Sequence, residues 1–297
     1  MLAKLKARIM FESLLGRPKI EKAYAMVGPE DSWYDTIKKV HQSLAQIQQL
    51  PSERLELKSH DGLKLQAVYY PAENSNGVTV ICVHGYTSHA EREWAFPGLF
   101  YHSLGCNVLI PYQRAHGPSE GRYITFGALE HRDMMGWVKL INERNPEDGI
   151  VLHGLSMGGG IVLDLADKEM KQVKCLIADA PNTDIDGFFR GISQKVFKEE
   201  GAEVCRHMQE RFRKCFGAET SEFDGVRIVG GSRYPILLSA GSEEHLEELF
   251  EAIQKQNPRE TQVVILPGCN HGNGMYKQTE LYQGRLRQFV AQYAMRK

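Results

Sequence analysis

Residues 148–163 read DGIVLHGLSMGGGIVL. An apolar run, Ile150–Leu152, leads into Gly154-Leu155-Ser156-Met157-Gly158, and a second apolar run follows at helical spacing. This is a G-x-S-x-G pattern between a strand and a helix. In that context the serine sits on a sharp, strained turn with its hydroxyl pushed outward. Glycines two places to either side remove Cβ atoms that would collide in such a turn. The helix that follows presents free N–H groups and a partial positive charge, both favourable to a developing oxyanion. A phosphate-binding P-loop is excluded, because no Gly-Lys-Ser/Thr follows the glycines. Ser156 is therefore the candidate nucleophile.

Working outward, short apolar runs alternate with longer helical patterns. Strands are expected at 77–84, 106–112, 148–154, 173–180, 234–241 and 261–268, and helices near 92–104, 127–144, 157–170, 243–257 and 276–296. Apolar strands without polar alternation are buried on both faces, as in a parallel sheet covered by helices. Ahead of them, RLELKSHDGLKLQAVYYP holds two strand-like runs about Asp61-Gly62, which predicts a β-hairpin. Residues 1–50 read as helical, with Ile37, Val40, Leu44 and Ile47 on one face and Pro51 ending the region. Residues 181–233 carry no strand pattern and exceed the usual connection length. They read as a helical cap inserted over the active edge of the sheet. The expected organisation is an N-terminal helical extension over 1–52 and an α/β domain over 53–297.

A serine hydroxyl needs a base. In this motif the chain order is serine, acid, histidine, which leaves His245 and His271. His245 opens a glutamate-rich helix, where a solvated residue is expected. His271 lies in PGCNHGNG, after the last strand, where Gly268, Gly272 and Gly274 let the loop bend toward Ser156. His271 is the candidate general base. His84-Gly85-Tyr86 closes the first parallel strand, and an N–H in that loop can join the one after the nucleophile. The Tyr86 and Met157 amides are thus the candidate oxyanion hole, with Thr87 the neighbouring option. His84 reads as a brace of that loop.

The chain has 297 residues and a formal net charge of -1, with no excess of either sign to draw it to nucleic acid. Six cysteines occur; the even count invites a disulfide reading, but Cys82, Cys106 and Cys175 lie in apolar strand-like runs, so free thiols in a reducing, cytoplasmic compartment are expected, and the lack of a CxxC spacing leaves zinc without support. No run of about 18 apolar residues spans a membrane, and no stable membrane insertion is expected. The N-terminal MLAKLKARIMFESLLGRPK reads as an amphipathic helix packed on the domain, a weak interfacial anchor being the alternative.

The runs VICVHGYTSH, PYQRAHGPSEGRYITFG, LHGLSMGGG, YPILLSAGSEEH and PGCNHG together resemble the α/β-hydrolase superfamily, in particular bacterial members labelled as esterases or peptidase-like serine hydrolases. The resemblance covers about residues 53–295. It implies an α/β fold with a mostly parallel eight-stranded sheet, helices on both faces and a helical cap. In the family the acid follows the seventh strand as Gly-x-x-Asp. Here the run is Gly241-Ser242-Glu243-Glu244, so the resemblance implies Glu244 as the acid, with Glu243 and Asp179 the competitors. Tyr112 stands where the family commonly has Asp, and Arg114 and His116 are implied to be loop braces. The expected function is hydrolysis of a small-molecule carboxylic ester or other acyl substrate, with no metal or organic cofactor. Thioesterase, acyltransferase and peptidase activities would use the same residues, and a non-catalytic binding protein on this fold is the reading from another class.

Overall fold

A computed structural model describes residues 2–18 and 27–295. Before the sheet come α1 (Leu2–Leu15) and α2 (Tyr34–Ile47), then the hairpin β1 (Glu53–Lys58) and β2 (Lys64–Tyr70). The core continues with β3 (Val78–Val83), α3 (Ala90–Ser103), β4 (Asn107–Tyr112), α4 (Glu130–Arg144), β5 (Gly149–Leu155), α5 (Met157–Leu163) and β6 (Val173–Asp179). Three helices follow, α6 (Ile185–Phe197), α7 (Gly201–Phe216) and α8 (Gly225–Val229). The chain then returns through β7 (Ile236–Gly241), α9 (Glu247–Gln256), β8 (Thr261–Leu266), α10 (Gly274–Lys277) and α11 (Thr279–Tyr293). The helical expectation for 1–50 also covers residues 1 and 19–26, which lie outside the described residues, as does residue 296 of the last expected helix.

The described strands form one eight-stranded sheet in the order β1-β2-β4-β3-β5-β6-β7-β8. β1 and β2 pair antiparallel, as do β2 and β4, and every other pairing is parallel. The six residues of β3 are all buried. Val80 and Cys82 belong to the core on the side of α2, α3 and α11, while Ile81 and Val83 belong to the core on the side of α1, α4 and α5. That two-sided burial is why the run shows no polar alternation in sequence.

The sheet order reverses at β3, since the two strands that follow it in the chain pair on its opposite sides: β4 on one, β5 on the other. In open α/β sheets such a reversal opens a crevice beyond the strands' C-terminal ends. Ser156 follows β5 and Tyr86 follows β3, so both stand at that crevice.

Two expectations are corrected. The helix expected over 157–170 stops at Leu163, and the next residues form tight turns, with the Leu165 and Ala166 N–H groups donating to the carbonyls of Val162 and Leu163. Three consecutive glycines, Gly158–Gly160, give this helix low intrinsic propensity. The helix expected over 243–257 begins only at Glu247, because Ser242–Glu244 form a short 3-10 turn and His245 is left-handed at φ 55°.

Helices α6 to α8 lie between β6 and β7. Asp184 caps α6 by accepting from the Gly187 N–H at 2.7 Å, and Asp224 caps α8. An antiparallel bridge between Asp184 and Asp224 ties the entry of the segment to its exit. Phe189, Phe212 and Phe216 pack edge to face inside it. Helix α1 packs on α7, where Phe11 stacks on Phe216 at 6.0 Å and Glu12 accepts from Arg211 at 2.6 Å.

Candidate active site

Ser156 has φ 57° and ψ -116°, a conformation that costs free energy for any residue with a Cβ. The strain is held by the surroundings. The Ser156 N–H donates to the Asp179 carbonyl at 2.8 Å, and its carbonyl accepts from Asn182 and from Gly160, each at 3.0 Å. Gly158 is obligatory for packing, since a Cβ there would stand 2.0 Å from the Val83 carbonyl oxygen. The turn can sit against β3 only because that atom is missing.

The loop after β8 delivers His271. Gly268 and Gly272 take φ +65° and +75°, which favour glycine. Asn273, 1% exposed, accepts from the Asn270 N–H at 2.9 Å and fixes the loop's inner side. Gly274 does not bend the loop; it opens α10, packed close against Leu266.

The ring of His271 lies between Ser156 and Glu244. Its Nε2 is 2.9 Å from the Ser156 hydroxyl, and its Nδ1 is 2.7 Å from Glu244 Oε1. A carboxylate only accepts, so Nδ1 carries the proton and Nε2 is free to accept from the serine. The hydrogen bond that Nδ1–H donates to Glu244 favours the charged ring and holds the His271 pKa above its ordinary 6.5. Glu244 is itself pinned, for its Oε2 accepts from the Gly241 N–H at 2.8 Å. This is a capping contact at the start of the short turn after β7.

Glu243 and His245 are both exposed to solvent. Asp179 is 4% exposed and faces away from His271 chemistry, into a buried network. Its Oδ1 accepts from Ser239 at 2.5 Å, and its Oδ2 meets the Tyr282 hydroxyl and His153 Nε2. His153 in turn meets the Tyr101 hydroxyl at 2.8 Å.

The Met157 N–H is in the first turn of α5, where a helix offers no internal partner. The Tyr86 N–H makes no backbone hydrogen bond among the described residues. The loop carrying Tyr86 is held from both ends. Glu93, 4% exposed, accepts from the Gly85 N–H at 2.7 Å, and the Tyr86 hydroxyl donates to the Leu14 carbonyl at 2.6 Å. His84 is fully buried and burial pushes its pKa well down, so the ring is neutral. It accepts from the Gln113 N–H at 3.1 Å and bridges to the Gly85 carbonyl at 2.8 Å.

Arg114 binds Asp133 and Asp61 together, at 2.7 and 3.0 Å, bracing the loop after β4. His116 packs edge to face on His84 at 4.5 Å. Tyr112 donates to buried Glu91 at 2.5 Å, the same carboxylate that accepts from Tyr70 at 2.9 Å. A phenol, not an acid, is what that position requires here. Glu93 was not singled out from the sequence. It is one of many glutamates in a helix, and only the fold brings it under Gly85.

This arrangement is the α/β-hydrolase fold. The family model for serine aminopeptidase, S33, matches residues 74–211, just under half of the chain. Among curated proteins, the uncharacterized protein YqkD of Bacillus subtilis is 32% identical over 115 residues, 38% of this chain. That match spans 37% of YqkD. Among solved structures, the Pyrococcus furiosus esterase Pf2001 superposes with TM-score 0.64 at 22% identity, over 91% of this chain and 97% of that one. The ferulic-acid complex of Est1E from Butyrivibrio proteoclasticus gives 0.60 at 19% identity, over 80% and 98%. Proline iminopeptidase of Mycobacterium smegmatis gives 0.58 at 12%, over 81% and 98%.

Six cysteines are free, five of them buried and Cys215 exposed. No helix among the described residues is long and apolar enough to cross a membrane.

Proposed function

We propose that the chain is a serine hydrolase that cleaves carboxylic esters of small molecules through an acyl-enzyme on Ser156. The observation that carries the reading is the unbroken hydrogen-bonded line from Ser156 through His271 to Glu244, at 2.9 and 2.7 Å. His271 Nε2 takes the hydroxyl proton as Ser156 Oγ bonds to the ester carbonyl carbon. The oxyanion is held by the Tyr86 and Met157 amides. The carbonyl re-forms, the ester C–O bond breaks, and the alcohol leaves with the proton from His271. Water then repeats the sequence on the acyl-enzyme, giving a carboxylic acid and free Ser156. Glu244 keeps the proton on Nδ1 and stabilises the imidazolium.

Esters are the first choice because they are the least demanding acyl substrates for this machinery, and esterases stand among the fold's solved neighbours. A peptidase reading draws support from the serine aminopeptidase description of the matched family model. Free thiols fit a cytoplasmic setting. The experiment is turnover of p-nitrophenyl esters of graded acyl length beside amino-acid p-nitroanilides. Preferential cleavage of the esters, lost in Ser156→Ala, is expected. Cleavage of the anilides alone would make the chain a peptidase, and cleavage of neither would favour a binding protein.

A further inference from the structure

Five large apolar side chains are exposed among the described residues, and three of them, Leu2, Leu5 and Ile9, are on α1 at 60%, 54% and 62%. At about 100° per residue these three positions fall within roughly 60° of one another on the helix. Ala3, Ala7, Met10, Phe11 and Leu15, on the opposite side, are buried. Helix α1 is therefore apolar twice over. Its inner face packs on the domain, and its outer stripe meets no part of the chain. Contiguous exposed apolar surface of this kind marks an interaction site, whereas scattered single residues do not.

The stripe has a particular setting. Lys4 and Arg8 are exposed along one side of it and form no ion pair among the described residues. Lys6, on the other side, is tied to Glu200 at 2.8 Å and stands 5.6 Å from the Phe197 ring. These contacts bring the end of α6 alongside α1, and that end carries a fourth exposed apolar residue, Val196, at 54%. Lys195 and Lys198 flank Val196 and are exposed, with Glu199 and the Lys6-paired Glu200 the adjacent exposed acids. The surroundings of the stripe thus carry a positive excess on a chain whose formal net charge is -1.

We propose that the outer face of α1, together with Val196, is a docking surface for an anionic lipid bilayer. The helix lies in the plane of the interface, with Leu2, Leu5 and Ile9 at the acyl boundary and Lys4 and Arg8 at the lipid phosphates. Apolar stripe and flanking cations are the two features such binding needs, and their strengths combine. A second copy of the chain fits this surface less well. Three side chains supply far less than the ~800 Å² per partner of a stable protein interface. A self-complementary contact would also bring the same basic flanks together.

Flotation of the full chain with phosphatidylcholine vesicles, with and without phosphatidylglycerol, tests the proposal. Wild type is expected to float with the vesicles that contain phosphatidylglycerol. Flotation should fall at least about tenfold on phosphatidylcholine alone or at about 0.5 M salt. Leu5→Ser/Ile9→Ser, which alters only exposed positions, is expected to lose flotation at least about tenfold and to keep its circular dichroism spectrum. Ser156→Ala should float like wild type, which keeps docking separate from the proposed chemistry. Absence of flotation on the anionic vesicles, or full flotation of the double variant, would overturn the proposal. So would concentration-dependent self-association of wild type, in sedimentation velocity, that the double variant abolishes.

Discussion

The Tyr86 hydroxyl donates to the Leu14 carbonyl at 2.6 Å, across 72 residues of chain. It joins the C-terminal end of α1 to the loop after β3, whose Tyr86 amide is proposed for the oxyanion hole. The Tyr86 ring also stacks on Phe126 at 5.1 Å, and Phe126 meets Phe188 of α6 at 5.1 Å. The N-terminal helix, the loop after β3 and the helical segment after β6 are thus linked through Tyr86 and Phe126. Tyr86→Phe keeps the ring and removes the bond. One such bond contributes about 1 kcal/mol net, a loss of roughly 2–4 °C in melting temperature for a domain of this size. If the bond also positions the oxyanion amide, kcat on an ester falls several-fold while KM holds. A melting shift with unchanged kcat would limit it to joining the helix to the loop.

The two carboxylates near the nucleophile should separate cleanly. Glu244→Gln removes the charge that holds His271, and a loss of at least about a hundredfold in kcat is expected with little change in melting temperature. Asp179→Asn turns an acceptor of several hydrogen bonds partly into a donor facing donors. That costs about 1–3 kcal/mol of stability, and kcat should fall by less than tenfold. Parallel thermal melts and ester turnover for the two variants check both statements, and a hundredfold loss in Asp179→Asn alone would move the acid to β6.

The pH profile follows from the same contact. In the proposed mechanism neutral His271 is the base, and Glu244 raises its pKa above 6.5. Activity should therefore rise with pH through a midpoint above 6.5, and Glu244→Gln should shift the midpoint down. The shift is linked to stability. A folded pKa raised above the unfolded one gives stabilisation that is complete below about pH 6.5 and disappears as pH passes the folded value. Rate profiles of both proteins on one ester decide the matter, and an identical midpoint would detach the carboxylate from the base.

Phe188 and Phe189 are neighbours in sequence with different surroundings. Phe189 is 0% exposed and packs on Phe212, so Phe189→Ala should destabilise by roughly 3–5 kcal/mol. Phe188 is half-buried against Phe126, on the side that leads to Tyr86. Phe188→Ala should change the ratio of activity on short and long acyl esters with a smaller melting shift. Equal ratios would mean that this face does not reach substrate.

What the sequence reveals is what its motifs make local. The Ser156 elbow and the His271 loop are each readable within ten residues, because strand, glycine and reactive group adjoin. Spacing from Gly241 points to Glu244 as the candidate acid, and the Gly241 N–H pins its side chain beside His271. Asp179 competes in sequence because it ends a strand at the same edge; its buried partners, Ser239, Tyr282 and His153, lie 60, 103 and 26 residues away. Glu93 beneath Gly85 and Leu14 beside Tyr86 are equally silent. Their residue types are common and their roles arise only from long-range packing. The true length of α5 is hidden in the sequence, because Leu165 and Ala166 continue a helical apolar pattern after the backbone has turned.

The central claim is that Ser156 is a nucleophile activated by His271. Labelling with a fluorophosphonate probe, followed by mass spectrometry of the modified peptide, reads it directly. One adduct on Ser156 is expected in wild type, with labelling slowed at least about a hundredfold in His271→Ala and absent in Ser156→Ala. An unlabelled wild-type chain, or an adduct on another residue that persists in Ser156→Ala, would contradict it.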